Sequence, residues 1–126
     1  MITPMKIKYN VIDAFQKDLK RLKRFQTLKD DLETAKRDAI ELYHLKNINN
    51  HSVFPIPGFC SKEVHICKIK KFACKALKGR GSKSGIRIIY AFYCQSHKVE
   101  FIEIYFKGEK ENEDRERIKV YLKNLS

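Results

Sequence analysis

The sequence has no Asp or Glu between Val64 and Val99. Over that stretch it carries nine cations: Lys68, Lys70, Lys71, Lys75, Lys78, Arg80, Lys83, Arg87 and Lys98. They supply +9 to a chain whose net charge is +12. A solvated surface ordinarily mixes signs, because a one-signed field opposes compaction by self-repulsion. The missing acids therefore point to a polyanionic partner, most simply a nucleic acid. Other absences narrow the class. No apolar run approaches the roughly 18–20 residues of a membrane span, so no membrane role is expected. Residues 1–9 hold no apolar stretch of signal-peptide length, and a cytoplasmic protein is expected. The four cysteines, Cys60, Cys67, Cys74 and Cys94, make no C-x-x-C pair, which speaks against a zinc site. They are expected to be free structural thiols. No repeat, linker or low-complexity tract interrupts the 126 residues, so a single domain, 1–126, is expected.

What is present is a recognisable series of elements. Met5 to Tyr9 alternates and predicts a short strand. Ile12, Phe15, Leu19 and Leu22 lie on one helical face. Thr27 is placed to cap a second helix, with Asp30 and Asp31 in its first turn and Leu28, Leu32, Ala35, Ala39 and Leu42 as its buried stripe. His44 to Phe59 holds Asn49-Asn50 and Pro55-x-Pro57-Gly58 and is expected to be irregular. Three strands are predicted next: His65 to Lys75, Gly85 to Cys94, and Val99 to Lys107, the last two joined by a tight turn. Asn112 is placed to cap a final helix with Ile118, Tyr121, Leu122 and Leu125 on its apolar side. The order β-α-α-β-β-β-α predicts an α+β fold, an antiparallel-dominated sheet with helices on one face.

Alternation along the strands sorts the cations. Ile86, Ile88, Tyr90 and Phe92 share one face of their strand, and Arg87, Ile89, Ala91 and Tyr93 the other. On the next strand Ile102, Ile104 and Phe106 are expected opposite to Phe101, Glu103, Tyr105 and Lys107. Lys68 and Lys70 share a side. Lys68, Lys70, Arg87 and Lys107 are thereby predicted to converge on one cationic surface. Lys75 to Gly85 adds three glycines, two serines and the cations Lys75, Lys78, Arg80 and Lys83. It is either a flexible hairpin loop or a clamp on a phosphate backbone. It lacks the order of a nucleotide-binding P-loop. The histidines, His44, His51, His65 and His97, are scattered and give no metal-ligand spacing.

Four segments carry a family resemblance: Phe15-x-x-x-Leu19-x-x-Leu22, Lys68-Ile69-Lys70, Ser84-Gly85-Ile86-Arg87-Ile88-Ile89-Tyr90, and Ile104-Tyr105-Phe106-Lys107. In this order the chain resembles the RelE/ParE superfamily of type II toxin–antitoxin toxins, and its RelE-like branch in particular. The resemblance implies a curved sheet in a small α+β domain, and a cognate antitoxin as partner. It implies a ribosome-dependent mRNA endoribonuclease, an mRNA interferase acting on mRNA at the ribosome without metal or other cofactor. A gyrase-inhibiting toxin of the ParE kind and a non-catalytic nucleic-acid-binding relative are the alternatives. Arg87 matches the family arginine that contacts the scissile phosphate, Lys68 and Lys70 match the lysines of the preceding strand, and Lys107 matches a basic residue after the last core strand. Where relatives often present a Tyr or His, this chain has Glu109, Glu111 and Glu113, so the general acid is unassigned.

Cleavage of this kind uses the 2′-OH of the RNA as nucleophile. It needs a base, cations for the phosphorane charge and an acid for the leaving 5′-oxygen. Lysine is ordinarily protonated at neutral pH, with a pKa of about 10.4. Neighbouring cations lower it, so Lys68 beside Lys70 and Arg87 is a candidate base. Glu103 is the other, unless it neutralises Arg87 or Lys107 across the sheet. Arg87 would hold the developing charge through its planar fork of donors.

Overall fold

The computed structural model describes residues 6–48, 51–70, 72–77 and 84–125. The chain runs β1 (Lys8–Val11), α1 (Asp13–Arg21), α2 (Leu28–Ala35), a π-helical stretch (Lys36–Glu41), α3 (Leu42–Lys46), β2 (Val53–Cys60), β3 (Val64–Ile69), β4 (Ile86–Tyr93), β5 (Lys98–Phe106) and α4 (Arg115–Lys123). The strands form one sheet in the order β1-β5-β4-β3-β2, with β1 parallel to β5 and the other pairs antiparallel. The expected α+β class holds, with one strand more than the sequence showed.

That strand is β2, in the segment expected to be irregular. Pro55 and Pro57 remove two N–H donors, which a central strand cannot spare. β2 is an edge strand that pairs only with β3. Its register shifts between Pro55 and Cys60, and Gly58 supplies a positive φ of 87° within the irregularity. Prolines here also blunt the edge against further strand pairing.

Both faces of the sheet are buried. On the first, Ile86, Ile88, Tyr90 and Phe92 of β4 meet Phe15, Leu22, Phe25, Leu28, Leu32 and Ile40 from the α1–α3 side. On the second, Ile89 and Ala91 meet Ile118, with Tyr121 and Leu122 packed beside them. The expectation of helices on one face thus holds for α1 to α3, while α4 covers part of the other. The reason is in β4 itself. Its second face reads Arg87, Ile89, Ala91, Tyr93, and the apolar middle requires a cover. α4 provides it and leaves the Arg87 end free of helix.

A bulge resets β5. Ile89 pairs with Glu103 but Tyr90 pairs with Phe101, so Ile102 is the extra residue. Phe101 consequently lies in the α1–α3 core with Ile104, and Ile102 lies under α4. Strict alternation had placed Phe101 and Ile102 the other way round; an inserted residue reverses alternation from that point on. Glu103 and Tyr105 keep their expected face.

Three smaller corrections follow from hydrogen bonding. Thr27 stands at the α2 N-cap but makes no side-chain cap bond. Its Oγ1 instead donates to Asp31 (2.7 Å) and accepts from the Ala76 amide (2.8 Å). Asp114, not Asn112, caps α4, accepting from the Arg117 amide at 3.0 Å. β3 ends at Ile69 rather than running on to Lys75, and Cys67 and Cys74 both lie in the first core.

Candidate nucleic-acid interface

β3 and β4 deliver the cations. Lys68 pairs with Ile89 and Ile69 with Ile88, so Lys70 and Arg87 continue the ladder on the face of Lys68. Arg87 in turn pairs with Tyr105 of β5. The free end of the second face thus gathers Lys68, Lys70 and Arg87 over Tyr105 and Glu103. Arg87 is half-buried, with Nη1 donating to the Ile86 carbonyl at 3.3 Å. Lys70 is exposed, and its ammonium sits 4.6 Å from the centre of the Phe54 ring. Lys107 is exposed at the end of β5, its amide donating to the Gly85 carbonyl at 2.8 Å.

The segment before α4 folds back over this cluster. Lys68 Nζ donates to Glu113 Oε1 at 2.8 Å, with the two side chains only 14% and 10% exposed. Arg115 Nη1 also donates to Glu113, at 3.2 Å. Glu103 is buried; its carboxylate accepts from the Asp114 amide at 2.8 Å and from the Lys110 ammonium. The counter-ion of Glu103 is therefore Lys110, rather than Arg87 or Lys107. Tyr105 is 4% exposed, and its O–H finds no acceptor among the described residues. The ammonium groups of Lys68 and Lys110 each lie 5.6 Å from its ring centre.

These contacts decide protonation. Burial pushes the Lys68 ammonium toward the neutral form, but the bond to Glu113 and the neighbouring Tyr105 outweigh it, and its pKa is raised. Lys68 is a fixed cation here, the reverse of the lowering expected from cations alone. Burial likewise opposes ionisation of Glu113, and its bond to Lys68 overcomes that, holding its carboxyl below the usual range. Burial raises the Tyr105 phenol against the pull of Lys68, so it stays protonated at neutral pH.

The glycine-rich loop is rooted at both ends. Asp31, buried, accepts from the Lys75 amide at 3.1 Å, beside the Thr27–Ala76 bond. At the far end Ser84, also buried, donates to the Phe72 carbonyl at 2.5 Å and accepts from the Ile86 amide at 3.1 Å. The Lys75 side chain is exposed. Lys78, Arg80 and Lys83 lie outside the described residues.

Sequence reasoning missed the acid that ties the site's elements together. Asp18 is buried and bonds Arg117 Nη1 at 2.6 Å, Arg21 at 2.7 Å and the Ile104 amide at 3.2 Å. It thereby links α1, β5 and α4. The signal was available: Asp18 stands three residues after Phe15 and four before Leu22, on the buried stripe of α1. Among the described residues no group of three potential metal ligands forms, and no helix is long and apolar enough to cross a membrane.

Comparison with protein-family models and with curated proteins finds no match. Among solved structures the chain is similar to a chain of the archaeal RelE–RelB complex from Pyrococcus horikoshii OT3, at 9% identity. The match covers 82% of this chain and 98% of that one, with a TM-score of 0.51. At that identity the likeness is one of architecture alone. The chain has a RelE-like fold.

Proposed function

We propose that the chain is the toxin of a type II toxin–antitoxin pair and acts as a ribosome-dependent mRNA endoribonuclease. The observation that supports this reading is that Lys68 and Arg87 share a face of a RelE-like sheet, with Lys70 beside them at the end that α4 leaves uncovered. Three cations on one face suit a phosphodiester, and a single-stranded message presents its bases and 2′-OH without a duplex to open. In the reaction the 2′-oxygen bonds to the adjacent phosphorus and the bond to the 5′-oxygen breaks. The products are a 2′,3′-cyclic phosphate and a 5′-hydroxyl. Arg87 and Lys68 stabilise the phosphorane charge. With Lys68 held as a cation and the Glu103 carboxylate buried and doubly bonded, neither is free to take the 2′-OH proton. That proton is balanced by one gained at the 5′-oxygen, and the base, like the acid, is unassigned, while Lys70 adds a third cation to the phosphate. Lys75, Lys78, Arg80, Lys83 and Lys107 position the backbone.

A cognate antitoxin is part of the same reading. A groove of about 590 Å³ between α1 and α2 has an apolar floor that includes Leu19, Leu22 and Phe25. Its charged lining residues are Lys20, Lys23 and Lys29. Apolar floor and cationic rim together suit an acidic amphipathic segment. Induced expression tests the proposal. Prompt arrest of translation with cleaved message is expected, relieved by the small protein of a neighbouring reading frame. DNA damage with intact message would favour gyrase inhibition, and growth without arrest a non-catalytic binding protein.

A further inference from the structure

The Lys68–Glu113 pair is an unusual thing to find on a surface meant for RNA. A carboxylate bonded to a site lysine has the charge and hydrogen-bonding capacity of a phosphate oxygen pair. It is not a loose surface contact, since both side chains are largely enclosed. The segment that carries it is pinned at several points: Glu109 to Arg24, Lys110 to Glu103, the Asp114 amide to Glu103, and Arg117 to Asp18. Beneath it lies a second anomaly. The Tyr105 hydroxyl is buried and its O–H finds no acceptor among the described residues, an arrangement that buried donors rarely keep. Tyr105 lies on the face of Lys68, opposite Arg87. A donor without an acceptor and a lysine with an internal carboxylate are adjacent on one surface.

We infer that Lys68 and the Tyr105 hydroxyl form a phosphodiester subsite that Glu113 fills as an internal mimic. Single-stranded RNA must displace Glu113 to reach it. This rests on the RNA-directed reading above and adds a competitor to it. On displacement Lys68 exchanges one anion for another, and the Tyr105 hydroxyl gains its acceptor. The subsite then has a neutral O–H donor beside the phosphate, in a chain that lacks the Tyr or His expected further along.

Binding of a short, labelled single-stranded RNA to the purified full chain tests this. Glu113→Gln keeps the shape and removes the competing charge; it is expected to bind about tenfold more tightly than wild type. Glu116→Gln, which removes the same charge from an exposed site on α4, is the control and is expected to stay near wild type. Adding Tyr105→Phe to Glu113→Gln is expected to cancel most of the gain. Equal affinity of the Glu113 and Glu116 variants would overturn the inference. A readout on the wild type needs no substitution: the Tyr105 ring resonances are expected to shift on adding the RNA and not on adding KCl. Unmoved resonances at saturating RNA would also overturn it. Arrest of translation in cells with no difference between the two variants would remove the subsite and leave the toxin reading. Tighter binding by Glu113→Gln without arrest would do the reverse.

Discussion

His44 shows a titratable side chain put to structural use. Its Nε2 is 2.7 Å from the Tyr90 hydroxyl, and its ring stacks on Phe92 at 3.9 Å between centres. Burial, with a smaller contribution from His65, lowers its pKa to about 4. The folded chain therefore keeps His44 neutral where an unfolded chain, with a pKa of about 6.5, protonates it. Stability from this site is present above the unfolded value and is lost as pH falls from about 6.5 toward 4. The melting temperature is expected to drop through that window, and His44→Gln to flatten the drop. An unchanged slope in the variant would assign the acid sensitivity elsewhere. Lys68 and Glu113 run with opposite signs at the two ends of the pH scale. Their pairing strengthens the fold until pH falls through the lowered Glu113 value or rises through the raised Lys68 value. The sequence supplied the identities of these residues and the face of Lys68, Lys70 and Arg87. It could not supply the ion pair, because Lys68 and Glu113 lie 45 positions apart.

At the scale of elements, most helices and strands follow from periodicity, and each miss has a local cause. β2 was hidden by prolines that only an edge strand accepts. The β5 bulge was hidden because Ile102 and Phe101 are both apolar, so a slip of one residue leaves the hydrophobic pattern plausible on either side. The position of α4 was legible in retrospect from Ile89 and Ala91, which make the second face too apolar to stay open. Asp18 is the strongest determinant of how these elements meet. Removing it leaves Arg117, whose charge is held by Asp18 and whose Nη1 also reaches the Ile102 carbonyl at 3.0 Å, without its main partner. Asp18→Ala is expected to cost about 3 kcal/mol in denaturant unfolding, the scale for breaking an enclosed ion pair by one partner. A loss below about 0.5 kcal/mol would mean that the α1–α4 tie is ordinary surface pairing.

Across the whole molecule, the sheet separates two tasks. One face carries α1 to α3 and, beyond them, the apolar groove rimmed by Lys20, Lys23 and Lys29. The other carries α4 and the cationic end. The net charge of +12 gives a long-range attraction for any polyanion, which is non-specific and sensitive to salt. Local contacts can be told apart from that background by salt dependence. For single-stranded RNA each phosphate neutralised contributes about −0.7 to the slope of log affinity against log salt. Lys70→Gln is expected to reduce the slope by about that amount, and Lys119→Gln, on the exposed side of α4, to leave it unchanged. On the proposed reading the acid-free stretch divides into Lys68, Lys70 and Arg87 at the chemical centre and the loop beginning at Lys75 as backbone contacts. The shared face of Lys68 and Arg87 was legible from alternation alone, whereas the internal carboxylate over Lys68 needed the folded chain.

The central claim is that the helix-free end of the sheet cleaves message on the ribosome, with Arg87 holding the phosphorane charge. Single-turnover cleavage of a message on purified ribosomes, comparing wild type with Arg87→Ala, tests it most directly. The account predicts cleavage by the wild type with a 2′,3′-cyclic phosphate on the upstream product. It predicts a loss on the order of 10²-fold or more in the variant, with an unchanged melting temperature. Cleavage by Arg87→Ala at the wild-type rate would contradict it.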